Sequence, residues 1–353
     1  MLHAVIMAGG RGERFWPESR LSRPKQFLNL LGNETMIQST VRRINRLIPC
    51  DNIYIITNEM YKELVKEQLP TINEENIIVE PVARNTAACI GLACAFIKKK
   101  DKHANMVVLP SDHLIKDEDR FLNMIELGFK KANLGENLVT LGIWPNYPET
   151  AYGYIKIGNM DEDLAFNVER FVEKPDAETA NKYINEGKYL WNSGMFIWHV
   201  DTIMKNFEIH MPKLFDGILN IEKAIGTGNQ NHAIKEEFIK LDSISIDYGI
   251  MEKAKNIYVL PCQFGWDDVG SWTSLERLDN CDDEGNVLKG NVISLDTHRC
   301  IVKGSGKLIA TVGIDDLIVV ETEDAILICK KDKAQDIKQL IGEMKELSLD
   351  SYL

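Results

Sequence analysis

Short apolar runs alternate with helix-like segments through the first 145 residues, and this alternation constrains the fold more than any other feature. The runs are rich in Ile, Val and Leu and lie at residues 2–7, 53–57, 77–79, 106–109 and 138–143. Between several of these runs lie segments that are apolar on one face or on nearly every side. They predict helices at residues 37–48, 86–99 and 119–133. Strands that alternate with helices predict a mixed, mostly parallel sheet flanked by helices, a Rossmann-like α/β architecture. Ligands of such sheets bind at the carboxyl ends of the strands.

The pattern changes after about residue 286, where short apolar triplets recur every eight or nine residues with Gly or Asp in the gaps. Regularly spaced short strands are typical of a small β module, either a solenoid fragment or a barrel. A final amphipathic helix follows. We therefore predict two domains, at residues 1–285 and 286–353. Because so small a module buries little surface alone, we expect it to pack on the larger domain or on a second subunit.

Charge and composition limit the possible partners. The chain has 41 Lys+Arg against 53 Asp+Glu, and this net charge of −12 argues against nucleic acid as a partner, although one cationic pocket can still bind a phosphate. No apolar run approaches the roughly 18 residues of a membrane span, and no basic region precedes a long apolar stretch at the N-terminus, so we expect neither a membrane nor secretion. The seven cysteines lack metal-ligand spacing, which favours reduced thiols in a cytoplasmic protein.

The glycine-rich segment after the first apolar run is the strongest candidate for binding phosphates. It begins at residue 7 and reads MAGGRGERFWPESRLSRPKQFL. The positions that allow a ligand to approach the backbone N–H groups are Gly9, Gly10 and Gly12. Arg14 and Lys25 add positive charge. Neither GxGxxG nor GxxxxGK[ST] occurs here, so we predict a triphosphate-binding loop of another type; the alternative is an ordinary tight turn.

Two acidic motifs are candidates for holding a divalent cation. Asp112 lies in Pro-Ser-Asp-His, directly after the run at 106–109, and Asp268 lies in FGWDDVGSW further along the chain. One or two carboxylates together with nucleotide phosphates are the usual ligands of Mg²⁺ in proteins. The alternatives are helix caps, with Asp112 starting the next helix and Asp267 or Asp268 capping a helix from Ser271.

Three segments combine aromatic side chains or charged groups with short polar ones, which suits a phosphorylated sugar. They are FVEKP at 171–175, WNSGMF at 191–196 and SIDYG at 245–249. In the first, a Lys could meet a phosphate and a Glu could accept sugar hydroxyls, although a Glu–Lys pair is more often a solvated surface pair. Each of the other two could by itself be a turn.

Eight motifs in this order resemble the nucleoside-diphosphate-sugar pyrophosphorylase family, from residue 3 to about 275 and more loosely through the C-terminal module. They are MAGGRGERFWP with PKQFL, EPVARNTA, PSDH, AYGYI, FVEKP, WNSGMF, SIDYGIMEK and FGWDDVGSW. The resemblance implies a nucleotidyltransferase that moves GMP from GTP to mannose 1-phosphate, giving GDP-mannose and pyrophosphate. It also implies a nucleotidyltransferase fold, a divalent cation such as Mg²⁺, a C-terminal module like a left-handed β-helix, and a homodimer.

The resemblance implies a role for each matching residue. The catalytic residues would be Arg14, Lys25, Asp112 and Asp268, and Asp112 and Asp268 would also hold the metal. The nucleotide-binding residues would be Ala8, Gly9, Gly10, Gly12, Arg14, Lys25, Glu80, Asn85, Thr86, Ser111 and Asp112. The sugar-phosphate-binding residues would be Gly153, Glu173, Lys174, Asn192 and Asp247. The carboxylate of Glu80 would accept the adjacent N1–H and N2–H₂ donors of guanine; alternatively it stabilises a helix start.

Other functions remain open. The enzyme could use another hexose 1-phosphate or another NTP. The chain could instead be a non-catalytic paralogue that binds sugar nucleotides, which retention of the charged motif residues disfavours, or a dinucleotide-binding dehydrogenase, which the glycine spacing disfavours. Two residues depart from the family pattern: Glu13 stands where a small hydroxyl residue is common, and Ala88 stands where a proline is common. Since a triphosphate would repel a carboxylate, we expect the Glu13 side chain to point away from it.

Overall fold

The structure, a computed structural model, describes residues 1–353, which form two compact units. The sheet unit comprises residues 1–9, 40–111 and 115–266. The β-helix unit comprises residues 10–39, 112–114 and 267–353. Each unit is a set of segments that pack together, and the segments are not all consecutive in the chain. The single domain boundary that we expect at residue 285 divides the chain in a different way and stays a prediction.

Strands and helices alternate in the first part of the chain and mix thereafter. The strands are β1 (Leu2–Met7), β2 (Ile53–Asn58), β3 (Ile77–Glu80), β4 (Asn105–Pro110), β5 (Leu114–Ile115), β6 (Leu138–Ile143), β7 (Tyr154–Met160), β8 (Phe166–Val172), β9 (Tyr189–His199), β10 (Ile257–Cys262), β11 (Trp266–Asp267), β12 (Val287–Lys289), β13 (Val292–His298), β14 (Ile301–Lys303), β15 (Ile309–Asp315), β16 (Leu317–Glu321) and β17 (Ile326–Lys330). The α-helices are α1 (Met36–Asn45), α2 (Lys62–Gln68), α3 (Asn85–Lys100), α4 (Glu118–Asn133), α5 (Ala177–Glu186), α6 (Val200–His210), α7 (Pro212–Ala224), α8 (Gln230–Lys240), α9 (Leu275–Leu278) and α10 (Ile337–Glu346).

One mixed sheet of nine strands forms the centre of the sheet unit, in the order β3-β2-β1-β4-β9-β6-β10-β8-β7. β1 pairs in parallel with both β2 and β4, as the alternation of strands and helices predicts. β9 is antiparallel to both β4 and β6. In the β1–β4 pair, Met7 lies opposite Pro110. The residues that follow these two strands therefore start side by side, at the carboxyl edge of the sheet.

Local sequence explains where the helices of the sheet unit begin and which faces they bury. α3 is apolar on nearly every side, and its residues from Ala87 to Ala95 are all buried, as predicted. Asp117 caps α4 by accepting a hydrogen bond from Arg120 N at 3.0 Å. The alternative in which Asp112 is this cap is therefore wrong. None of the helices combines the length and the apolar character that crossing a membrane requires.

The strands after residue 286 stack as a solenoid fragment rather than a barrel. β12, β14 and β16 are parallel neighbours in one sheet, which β17 extends in the antiparallel sense, and β13 pairs in parallel with β15. The Asn286 side chain joins two turns of this coil, because its Nδ2 donates to Thr297 O at 2.7 Å while its Oδ1 accepts from Cys300 N at 2.8 Å. The predicted β-helix-like module with a terminal helix is confirmed.

The core of the β-helix unit includes side chains from both ends of the chain. Phe15 and Trp16 of the glycine-rich segment pack with Trp272 and with residues of β14 and β16. The ring centroids of Phe15 and Trp272 are 5.1 Å apart, and Trp272 Nε1 donates to Trp16 O at 3.0 Å. The β-helix unit therefore holds the glycine-rich segment through its own hydrophobic core.

Candidate active site

Two close approaches hold the start of the glycine-rich segment, at Gly10 and Gly12, against its end, at Lys25 and Gln26. Gly12 has a φ of +59°, and a Cβ at this position would lie 2.6 Å from the backbone N of Lys25. Only glycine fits that conformation and that space. Gln26 Nε2 donates to the carbonyl of Gly10 at 2.9 Å. Sequence reasoning missed Gln26, although its place beside Lys25 in the PKQFL motif is a signal that could have identified it.

The side chains before Phe15 contact the C-terminal helical segment of the same unit. Arg14 Nη1 donates to Gln335 Oε1 at 3.3 Å. Glu13 Oε1 lies 3.4 Å from Lys345 Nζ and 4.0 Å from Arg11 Nη1, so two cations face this carboxylate. No local sequence signal could have identified Gln335 or Lys345, because they follow Arg14 by more than 300 residues.

Lys25, Asp112 and Asp268 form one cluster in the β-helix unit. Lys25 Nζ donates to Asp112 Oδ2 at 2.8 Å and to the backbone carbonyl of Asp268 at 2.6 Å. The Lys25 side chain is only 6% exposed, so water screens this charge weakly. Burial by itself would raise the pKa of Asp112, but the ammonium of Lys25 and the neighbouring His113 outweigh burial and hold that pKa below its usual value. Asp112 is therefore a carboxylate at neutral pH.

The donor atoms of this cluster suit a hard divalent cation. Asp112 and Asp268 offer carboxylate oxygens, which Mg²⁺ prefers to nitrogen or sulfur. Asp267 is not a helix cap, because its carboxylate accepts from Val269 N and from the Arg277 guanidinium. Instead, Ser271 itself caps the helical turn that follows.

The carboxyl edge of the sheet carries a second group of the predicted nucleotide-binding residues. Ser111 N donates to Met7 O at 3.1 Å, which brings the residue after β4 beside the end of β1, next to Ala8. A Cβ at Gly9 would lie 3.5 Å from Glu80 Oε2. The first glycine of the loop thus lies against the carboxyl group of Glu80.

Glu80 is a buried carboxyl group with unused hydrogen-bonding capacity. The residue is 8% exposed, and its Oε1 has no hydrogen-bond partner within the chain. Burial raises the pKa of Glu80 to about 7. A buried acceptor of this kind is available to a donor on a ligand. By contrast, the Asn85 Oδ1 accepts from Thr86 N, and the Thr86 Oγ1 accepts from Ile246 N, both at 2.8 Å.

The five predicted sugar-phosphate-binding residues lie together in the sheet unit. A Cβ at Gly153 would lie 3.1 Å from Glu173 Oε2 and 3.6 Å from the Asn192 Cβ. Asn192 Nδ2 donates to Asp247 Oδ1 at 2.7 Å. Burial raises the pKa of Asp247, and the Glu173 carboxylate acts in the same direction. Lys174 Nζ lies 2.8 Å from Glu173 Oε1, and its side chain is 61% exposed, so an incoming anion can reach the ammonium.

Aromatic rings adjoin this group: Trp191 lies in the WNSGMF segment that the sequence singled out, whereas sequence reasoning missed Tyr152 and Trp266. The Tyr152 ring lies 5.2 Å from both the Trp191 and the Trp266 rings, measured between centroids. Tyr152 precedes Gly153 and Trp191 precedes Asn192 in the chain. The signal that could have identified Tyr152 is therefore its adjacency to the motif residue Gly153. Edge-to-face packing of this kind fixes the rings and, with them, the backbone that carries the polar groups.

The chain is similar to known proteins over almost its whole length. Residues 3–284 match the Nucleotidyl transferase family model, and residues 290–344 match the model of the MannoseP isomerase/GMP-like beta-helix domain. Curated relatives named mannose-1-phosphate guanylyltransferase come from Salmonella montevideo (42% identical, over 98% of this chain and 74% of the relative) and Escherichia coli K12 (40%, 98% and 73%). A crystal structure from Thermus thermophilus, described as a mannose-1-phosphate geranyltransferase, has a TM-score of 0.90 at 33% identity over 98% of this chain and 99% of its own.

Proposed function

This chain belongs to the nucleotidyl transferase family, and we propose how its residues divide the reaction among them. The enzyme transfers GMP from GTP to mannose 1-phosphate, forming GDP-mannose and releasing pyrophosphate. The observation that carries the proposed mechanism is the cluster in which the Lys25 ammonium joins Asp112 to the turn of Asp268.

The attacking group needs no general base. The second pKa of a sugar phosphate is near 6, so mannose 1-phosphate is mostly a dianion at pH 7 and is already a nucleophile. The work of the protein is then to position two anions against each other and to neutralise their charge. Lys25, Arg14 and the backbone N–H groups of the glycine-rich segment hold the triphosphate and stabilise the pyrophosphate that leaves.

Enzymes of this family use a divalent metal, and we assign Mg²⁺ to the carboxylates of Asp112 and Asp268. When bound, the ion supplies positive charge at the α-phosphate as the negative charge there redistributes. Lys25 keeps Asp112 ionised and ties it to the turn of Asp268, so that both carboxylates remain available as ligands.

The sugar-phosphate group binds mannose 1-phosphate through complementary contacts. Lys174 holds the phosphate, because it carries an exposed ammonium beside the pocket residues. Glu173, Asn192 and Asp247 present acceptors and donors to the sugar hydroxyls, and Gly153 leaves the space for them. On the nucleotide side, Glu80 accepts the N1–H and N2–H₂ donors of guanine, in agreement with its unpaired Oε1.

The assembly is a homodimer formed through the β-helix unit. β13, β15 and β17 expose a set of large apolar side chains, namely Ile293, Leu295, Val312, Ile326 and Ile328. Apolar groups exposed together on the short strands of one small module are typical of a surface that another subunit covers. The cytoplasmic location expected from the cysteine pattern stays a prediction.

The assignment of substrates is tested by pyrophosphate release over a matrix of four NTPs and several hexose 1-phosphates. GTP with mannose 1-phosphate should give the highest kcat/KM. A higher kcat/KM for another pair would identify that pair as the substrates. The fold and the proposed metal site would stay the same.

The metal assignment is tested by Asp112→Ala and Asp268→Ala in excess Mg²⁺. Each should lose most of the activity, whereas Asp332→Ala, which removes an exposed carboxylate of the same unit, should keep it. Full turnover by either cluster variant, or by the wild type in excess chelator, contradicts the assignment.

A further inference from the structure

The turn that carries Asp268 has a conformation that its own sequence does not favour. Val269 has a φ of +48°, a backbone region that β-branched residues rarely adopt. Its side chain is fully buried in the hydrophobic core of the β-helix unit. Such a backbone persists only where its surroundings hold it in place.

Asp267 and Arg277 supply that restraint. The Asp267 carboxylate is 8% exposed and accepts from Val269 N at 2.7 Å and from Arg277 Nε at 2.9 Å. Arg277 Nη2 in turn donates to Ser274 Oγ at 3.3 Å. Since Ser274 completes the capping box with Ser271, the guanidinium ties the turn to the helical segment behind it.

The restrained turn determines where both polar groups of Asp268 lie. Its carbonyl accepts from Lys25 Nζ at 2.6 Å, and Lys25 also contacts Asp112. Its carboxylate lies over Gly270, where a Cβ would come within 2.9 Å of Asp268 Oδ2. The turn therefore holds the Asp268 carbonyl against Lys25 and the Asp268 carboxylate against Gly270.

We propose that Asp267 and Arg277 are a positioning pair that holds Asp268 in the orientation required to bind the divalent cation. This inference rests on the proposed role of Asp268 as a metal ligand. Neither Asp267 nor Arg277 needs to touch the ion or a substrate. Groups that orient a metal ligand typically alter metal affinity or activity by roughly 10- to 100-fold when they are removed.

The test compares Arg277→Gln and Asp267→Asn with the wild type. We expect the Mg²⁺ concentration for half-maximal rate to rise by about tenfold or more, while the kcat at saturating Mg²⁺ stays close to that of the wild type. The affinity for Mn²⁺ in the presence of GTP, measured by electron paramagnetic resonance without turnover, should weaken by a similar factor. The KM for mannose 1-phosphate at saturating Mg²⁺ should not change.

The matched control is Arg299→Gln. Arg299 pairs with Asp316 through its Nε at 2.9 Å and its Nη2 at 2.8 Å in the same unit, but neither residue belongs to the turn of Asp268. This variant should keep wild-type metal dependence. If Arg277→Gln does not fold, Arg277→Lys, which keeps the charge and a donor, should show an intermediate metal affinity.

The Asp268→Ala variant separates the two hypotheses. If it binds Mn²⁺ as the wild type does, the metal assignment itself is wrong. If it loses Mn²⁺ while Arg277→Gln and Asp267→Asn bind Mn²⁺ normally, the positioning pair alone is wrong.

Discussion

Glu80 is the residue for which the structure and the chemistry of guanine make the sharpest prediction. Glu80→Gln replaces one acceptor oxygen with a donor that faces a guanine donor. The loss should be about 1–3 kcal/mol, or roughly fivefold to more than a hundredfold in kcat/KM for GTP. ATP lacks that pair of donors, so its kcat/KM should hardly change and the GTP/ATP ratio should fall. A variant that keeps the wild-type ratio would leave base selection to the backbone near Asn85.

The same residue predicts a pH dependence of GTP binding. Its pKa of about 7 means that roughly half of the unliganded enzyme carries a neutral Glu80 at pH 7. Guanine donors require the ionised form, so the KM for GTP should rise as the pH falls through 7, by about tenfold between pH 8 and pH 6. The phosphates of the substrates also titrate in this range, and Glu80→Gln corrects for them. An identical pH profile in the variant contradicts a role for Glu80 ionisation.

Lys174 should distinguish the two substrates kinetically. Lys174→Ala removes an exposed cation beside Glu173. Because its proposed partner is the phosphate of mannose 1-phosphate, the KM for that substrate should rise far more than the KM for GTP. The control is Lys182→Ala, whose side chain pairs with Glu178 on the surface of α5. Equal effects of Lys174→Ala on both KM values would place Lys174 elsewhere.

The candidate role of a residue could be predicted where a sequence motif fixes both the type and the spacing of the side chains. Asp112 and Asp268 were singled out in this way, and they join one cluster through Lys25. Arg277 could not be predicted, because its partner Asp267 is recognised only once the chain has folded back on itself. An Arg ten residues after an Asp is, by spacing alone, an ordinary surface residue.

At the scale of elements, the glycine-rich segment depends on one position where no side chain fits. Gly12→Ala would force Ala to a φ of +59° and bring its Cβ against the backbone of Lys25. We expect loss of most activity, because the backbone that carries Arg14 and Lys25 must move. Gly32→Ala is the control: its φ is +91°, but no atom lies within 4 Å of the added Cβ. Gly32→Ala should lower the free energy of unfolding but should change kcat/KM much less than Gly12→Ala does. If both variants lose the same fraction of kcat/KM, backbone strain alone explains the effect.

Elements with a strong local pattern were predicted to within one residue, and others were not. β1 and β6 lie where their apolar runs predict them, and α3 extends its predicted range by one residue at each end. In contrast, β9 spans Tyr189–His199 and so includes WNSGMF, a segment that by itself could have been a turn. Asn192, Ser193 and Gly194, which has a φ of +67°, resemble a turn in the middle of the strand, and the pairing of β9 with β4, β6 and β7 outweighs that local preference.

For the whole molecule, the order of residues along the chain does not show which segments make up the β-helix unit. Residues 10–39 follow the first strand of the sheet, yet they pack with residues after 266. The reason is hydrophobic: Phe15 and Trp16 bury large rings against Trp272, and Arg20 reaches the carbonyl of Tyr352 near the end of the chain. Sequence patterns report periodicity within a segment, but they do not report which distant segment completes its core.

The final prediction concerns the assembly of two chains. Leu295 of β13 and Val312 of β15 are register partners, and each is 67% exposed. Burying this pair between subunits would remove apolar surface from water, whereas two lysines there would have to lose their hydration. Leu295→Lys combined with Val312→Lys should therefore convert a dimer into a monomer, measured by light scattering after size-exclusion chromatography. Leu134→Lys, on a residue 64% exposed at the end of α4, should leave the dimer intact. A dimer that persists in the double variant, or a wild type that is monomeric at micromolar concentration, excludes this surface as the interface.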